Sequence, residues 1–166
     1  FIIFSIIIDG YNLIGIYHKD LEKQRNMLIE TLIEYRNKKG HNITVVFDGW
    51  KTGGAQENQS VIGGIRVIYS RLAEKADSVI KRIISTERAG WVVVTSDRDI
   101  AAYAWSSGSV PISSEDFLNT IKKDHSEESI LYEEDEEDYF VKPRRKGNPR
   151  KPSKKEKAIK QTLSKL

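Results

Sequence analysis

The chain has 166 residues and a formal charge of +3, from 27 Lys+Arg against 24 Asp+Glu, a length that suits one domain with a real core. It contains no cysteine, which excludes disulfide frameworks, Cys-ligated zinc, iron–sulfur clusters and thiol catalysis; His18, His41 and His125 are too few and too scattered for a His-based metal site. No apolar run reaches the ~18–20 residues of a spanning helix, and the opening FIIFSIII lacks a signal peptide's basic lead and cleavage motif, so the expected location is cytoplasmic.

Residues 2–8 (IIFSIII) are continuously apolar and β-branched, the pattern of a strand covered on both faces of a parallel sheet. Residues 21–37 carry Leu21, Leu28, Ile29, Leu32 and Ile33 at helical spacing, and Gly40 marks the end of the helix. A second buried strand, ITVVF at 43–47, runs into Asp48 and Gly49. The stretch 49–64 has five glycines and little periodicity, and reads as a long mobile loop. Then come a short strand at 65–69, a helix over 73–89, a strand at 91–95 and a short helix from SDRD to Trp105. A fifth short strand at 110–112 precedes a helix capped by SSED. This alternation predicts an α/β fold, a three-layer αβα sandwich around a mainly parallel sheet. Ligands of such sheets bind outside the carboxyl ends of the strands.

Aspartates occur at those ends. Asp9 follows the first strand, Asp48 the second, and Asp97 and Asp99 the fourth, while Asp77 opens the helix after the third. Any one of them is explained as a helix cap or turn residue. Four elements delivering aspartate to a single edge is more than capping requires, because like charges so placed repel unless a cation sits between them. With neither Cys nor His on offer, an all-oxygen donor set points to Mg²⁺ or Mn²⁺ and to phosphodiester chemistry. The other nucleotide folds do not match: there is no GxxxxGK[ST] loop, and the first turn is DGYNLIG, not GxGxxG.

The segments IIIDGYNLIG, VVFDG, EKADSVIKRI and VVVTSDRD, in that order, resemble the NYN domain family of PIN-like ribonucleases, specifically its YacP-like branch, described as ribosome-associated endoribonuclease. The likeness covers about residues 1–123. It implies a PIN-like fold and a metal-dependent endonuclease that hydrolyses single-stranded RNA, with mRNA on the ribosome or rRNA as expected partners; attack by a metal-activated water would leave 5′-phosphate and 3′-hydroxyl ends. It assigns the metal to Asp9, Asp77 and Asp97, with Asp99 a further ligand or water-positioner and Asp48 a weaker match that acts directly or by support. Asn12 matches the asparagine that holds the first carboxylate or approaches substrate, and Ser96 either contacts phosphate or caps the next helix. Beside these, Tyr11 either stacks on a base or packs under its loop, and Arg98 reaches either phosphate or a neighbouring Asp. Trp50 and Lys51 open the glycine-rich loop and are candidates for RNA contact. The competing readings are an RNA-binding module with little catalysis and another Mg²⁺-dependent phosphoryl hydrolase; the latter lacks the DxD of an aspartyl-phosphate nucleophile.

Charge divides the rest of the chain. Residues 124–141 hold nine acidic and no basic residues, an acidic linker; residues 142–166 hold 11 basic and one acidic. The latter opens as a proline-containing arm with Arg144, Arg145, Lys146, Arg150 and Lys151, suited to phosphates without sequence preference. Ser153 and Glu156 then form a capping box for a short helix with Ile159, Leu163 and Leu166 on one face. Too short to stand alone, it is expected to dock on the domain, on a partner, or on a second copy in a homodimer. Its short apolar face without aromatics argues against membrane binding.

Overall fold

Ile6, Ile7 and Ile8 of β1 (Ser5–Asp9) have no exposed surface, which requires cover on both faces of the strand. The computed structural model describes residues 2–15, 20–49, 56–87, 90–129 and 151–166, with the backbone alone described for 125–129. β1 lies at the centre of a six-stranded sheet, parallel to β2 (Asn42–Phe47) on one side and to β5 (Val92–Val94) on the other. β6 (Val110–Ile112) continues parallel beyond β5, and β4 (Ile65–Tyr69) parallel beyond β2. At the outer edge, β3 (Asn58–Ile62) pairs antiparallel with β4, giving the order β3-β4-β2-β1-β5-β6.

The period-two alternation of strand side chains divides the core into two layers. Ile6, Ile8, Val45 and Phe47 face α1 (Gly10–Ile14), α2 (Leu21–Lys39) and α5 (Ser114–Ser129). Ile7, Val46, Ile68 and Val93 face α3 (Ala76–Thr86) and α4 (Arg98–Ser106). The result is the expected αβα sandwich. Because the chain leaves β1 toward β2 and crosses back after α3 to β5, the carboxyl end of β1 is the topological switch point where a ligand crevice forms.

The expectation of an unstructured loop over 49–64 is corrected for its second half. Residues 58–62 form β3, joined to β4 by Gly63 and Gly64, both at positive φ (56° and 85°). That backbone is what a tight right-twisting hairpin demands, and glycine supplies it without steric cost. The strand left no alternation to read because all five of its residues are exposed. The helix expected over 73–89 is shorter, beginning at Ala76 after a turn in which Ala73 takes φ 70°. α5 runs on as helix past residue 123 to Ser129.

The C-terminal helix α6 (Lys154–Lys165) forms with the predicted capping box: Ser153 Oγ accepts from Glu156 N, and Glu156 Oε2 accepts from Ser153 N. It packs back on its own domain. Leu166 is buried in the layer below α2 and α5, Leu163 packs against the same cluster, and Tyr35 Oη donates to the Leu166 carbonyl at 3.0 Å. Lys155 Nζ lies 5.5 Å from the ring centre of Trp105, fixing the other end of the helix. Trp91 packs in the α3/α4 layer, with Nε1 donating to the Glu87 carbonyl. Among the described residues no helix is long and apolar enough to cross a membrane.

Candidate active site

The carboxyl end of β1 delivers Asp9 directly into the turn of α1. Gly10 follows because nothing larger fits: a Cβ there would run into the Phe47 ring at the end of β2. The sheet register sets Asp9 beside Val46, so Asp48 emerges from the neighbouring strand two residues further on. Asp48 then reaches across to accept a hydrogen bond from Ala76 N, capping α3 from a distance where Lys75, the residue before the helix, offers no side-chain cap. That bond sets the start of α3, and hence the place of Asp77 in its first turn. Ser70, almost fully buried, supports the same corner: its Oγ accepts from Gly49 N at 2.9 Å and donates to the Glu74 carbonyl at 2.6 Å. Asp97, beyond β5, caps α4 by accepting from Asp99 N (2.8 Å) and Ile100 N (3.4 Å) through one oxygen, Oδ1.

Three of these acids act on the fourth. The Asp9 carboxyl is pushed up to about 7, first by burial and then by the negative charges of Asp48, Asp97 and Asp77, against which the Asn12 backbone N–H works in the opposite direction. Among the described residues none of the four forms an ion pair with a basic side chain. The donor set is therefore chemically suited to a hard divalent cation: several carboxylates, one of them largely buried, and none in an ion pair among the described residues. Among the described residues, no three acidic or histidine side chains are gathered closely enough to hold an ion as they stand.

The remaining sequence candidates divide. Asp99 is three-quarters exposed and pairs with Lys81 Nζ at 2.5 Å, and the charges that raise Asp9 are those of Asp48, Asp97 and Asp77. Asn12 spends its side-chain oxygen on Ser96 N (2.8 Å) and Ser114 Oγ (2.6 Å), tying the β1 turn to the segments after β5 and β6. Ser96 Oγ accepts from Ser114 N at 3.2 Å, so Ser96 is a brace and the cap of α4 is Asp97. Tyr11 is buried with its ring 5.1 Å from that of Phe47, so it packs beneath the turn. Arg98 is exposed and, among the described residues, makes no ion pair with the acids beside it. Lys151 is exposed just ahead of α6. Trp50, Lys51, Arg144, Arg145, Lys146 and Arg150 lie outside the described residues.

Sequence reading missed three residues. Lys81 lies one helical turn after Asp77, a spacing that places it on the same face, and its ammonium is held charged by Asp99 first and then by Asp77 and Asp97. Ser114 had been absorbed into the cap of α5. Arg25, which donates from Nη1 to Tyr11 Oη at 2.8 Å, comes from a helix whose register alone gives no sign of what it meets.

Comparison with known proteins gives the family and the fold. The profile of the YacP-like NYN domain family matches residues 6–165. The chain is 33% identical over 85 residues to YacP of Bacillus subtilis (strain 168), a stretch that spans 47% of this chain and 49% of that protein. The chain thus matches about half the length of that relative. A crystal structure of Rae1 (YacP) from Bacillus subtilis superposes with a TM-score of 0.61 at 25% identity, covering 76% of this chain and 79% of that one. A tryptophan-to-leucine variant of the same protein gives 0.62 at 24% identity, covering 77% and 80%. With its family match running from β1 through α6, the chain belongs to the YacP-like NYN domain family, a family of PIN-like nuclease fold.

Proposed function

We propose that this protein is a metal-dependent endoribonuclease that hydrolyses single-stranded RNA and leaves 5′-phosphate and 3′-hydroxyl ends. The observation that carries the reading is the buried Asp9 carboxyl with the charges of Asp48, Asp97 and Asp77 set against it at one sheet edge, an arrangement that makes sense if a cation is bound there. Asp9, Asp77 and Asp97 would hold Mg²⁺ or Mn²⁺, with Asp99 joining if Lys81 releases it. A bound ion supplies an activated water and neutralises charge at the scissile phosphate. The protein does the positioning. Asp48 fixes the first turn of α3, and Asn12, Ser96 and Ser114 lock the β1, β5 and β6 ends together, so that acids from three elements stay in register. No histidine lies among them, which fits hydrolysis by water better than attack by a 2′-hydroxyl, where a positioned acid and base are needed.

In this reading residues 1–123 are the catalytic body, 124–141 an acidic linker and 142–166 a basic segment whose helix packs back on the body. The basic segment would hold RNA, as substrate mRNA or as rRNA on a cytoplasmic ribosome, largely through phosphates. The test incubates the full chain with single-stranded and duplex RNA in Mg²⁺, Mn²⁺ or EDTA, beside Asp9→Asn. Internal cleavage of the single strand that EDTA and Asp9→Asn each abolish is the expected result. Binding without cleavage would instead make the protein an RNA-binding module, and equal cleavage by wild type and variant would refute the site.

A further inference from the structure

A groove of about 650 Å³ opens on the turn between β4 and α3, lined by Arg71, Leu72, Ala73, Glu74, Lys75 and Ser78. Its place follows from the sheet order. β4 lies parallel beside β2, which lies beside β1, so the turn leaves the same carboxyl edge that carries Asp48 and Asp9. Two strand spacings separate the ends of β4 and β1, about 10 Å. Two backbone amides tie the groove to the acids: Ala76 N, directly after Lys75, donates to Asp48, and Ser78 N donates to Asp77 Oδ1 at 2.8 Å. The turn itself is pinned. Ser70 Oγ donates to the Glu74 carbonyl at 2.6 Å, Glu74 N donates to the Arg71 carbonyl at 3.0 Å, and Ala73 takes φ 70°. A residue with a side chain keeps that conformation only where its surroundings fix it.

The charges lining the groove are unevenly spent. Glu74 is shared by Arg71 Nε at 3.2 Å and Arg82 Nη1 at 3.5 Å, and the two terminal nitrogens of Arg71 have no partner among the described residues. The Lys75 ammonium is exposed and, among the described residues, has neither an ion pair nor a hydrogen bond. Beside them Leu72 leaves 58% of its surface in solvent. Two available cations next to an apolar surface suit a nucleotide, which joins an anionic phosphate to an apolar ring face. We propose that this groove binds a nucleotide flanking the scissile phosphate, its own phosphate on Arg71 and Lys75 and its base or ribose on Leu72. This rests on the nuclease reading above and gives the RNA strand a path along the sheet edge, from the acids toward β4.

The test measures binding of a fluorescent single-stranded oligouridylate to the full chain by anisotropy, across a salt series in EDTA. Lys75→Gln should bind about five-fold more weakly and lower the slope of log K against log salt by about 0.7, the loss of one phosphate contact. Lys75→Arg should keep both at wild-type values. Leu72→Ser should lose about three-fold in affinity at an unchanged slope, because apolar contact goes and no charge does. Lys122→Gln makes the same change at an exposed lysine well along α5 from the sheet edge, and should bind like wild type. Each altered side chain is exposed, so melting temperatures should match wild type. Wild-type affinity in Lys75→Gln or in Leu72→Ser overturns the proposal, as does an equal loss in Lys122→Gln or a wild type that binds no RNA. Cleavage in Mg²⁺, run alongside, separates the two claims. Cutting by a protein whose binding ignores Lys75 keeps the nuclease reading and removes the groove. Binding that depends on Lys75 in a protein that never cuts removes the nuclease reading and keeps the groove as an RNA site.

Discussion

Asp9 holds a carboxyl near neutrality because burial and three neighbouring aspartates all oppose its charge. The linkage has a definite sign. A folded-state value near 7 against 3.8 unfolded means the folded protein binds the extra proton, so metal-free stability falls as pH rises from about 4 to about 7 and is level above. At about 1.4 kcal/mol per unit the loss reaches about 4 kcal/mol at most. Thermal melts in EDTA across that range should show the decline, and Mn²⁺ at pH 8 should reverse it. Asp9→Asn should then melt higher than wild type in EDTA at pH 8, and be insensitive to Mn²⁺. This part of the site was legible in the sequence, because an acid directly after a strand is placed at the sheet edge by the strand itself. What Asp9 meets there was partly legible too. Lys81, Ser114 and Arg25 were not, since each reaches the site from a helix whose crossing over the sheet no local pattern encodes.

At the scale of elements, the edge depends on how closely α1 sits over β2. Gly10 permits that approach, and Gly10→Ala should destabilise by about 1–3 kcal/mol in urea unfolding, as the Phe47 ring gives way. Cleavage should fall by more than the loss of folded protein explains, because the displaced ring also carries Tyr11. The central buried strands β1, β2 and β5 were readable from the sequence as β-branched runs, and β6 as a short apolar segment of three residues. β3 was hidden for the opposite reason: a strand with both faces in solvent has no hydrophobic period, and only the Gly63-Gly64 turn betrays it. The start of α3 was misjudged because its cap, Asp48, lies 28 residues away in sequence.

Over the whole molecule, the +3 charge is an average of a nearly neutral body, an acidic stretch and a basic segment, and the fold joins the last back to the first. Because Leu166 and Leu163 complete the layer over Tyr35 and Phe117, a truncation before α6 removes core as well as charge. It should cost about 3 kcal/mol and confuse any study of the basic segment. Replacing the exposed Lys157, Lys160 and Lys165 with Gln is the cleaner experiment. Stability should stay within about 0.5 kcal/mol per site, while RNA affinity drops and its salt dependence becomes shallower. The family match runs from residue 6 to residue 165 and so includes this helix.

The central claim is that the gathered aspartates bind a metal ion and that this ion carries cleavage. A Mn²⁺ titration followed in one sample by electron paramagnetic resonance for bound ion, and by gel for cut single-stranded RNA, tests it most directly. Occupancy and cleavage should rise together in wild type, and both should be absent from Asp9→Asn. Cleavage that persists in EDTA, or an Asp9→Asn protein that binds Mn²⁺ and cuts like wild type, would contradict the account.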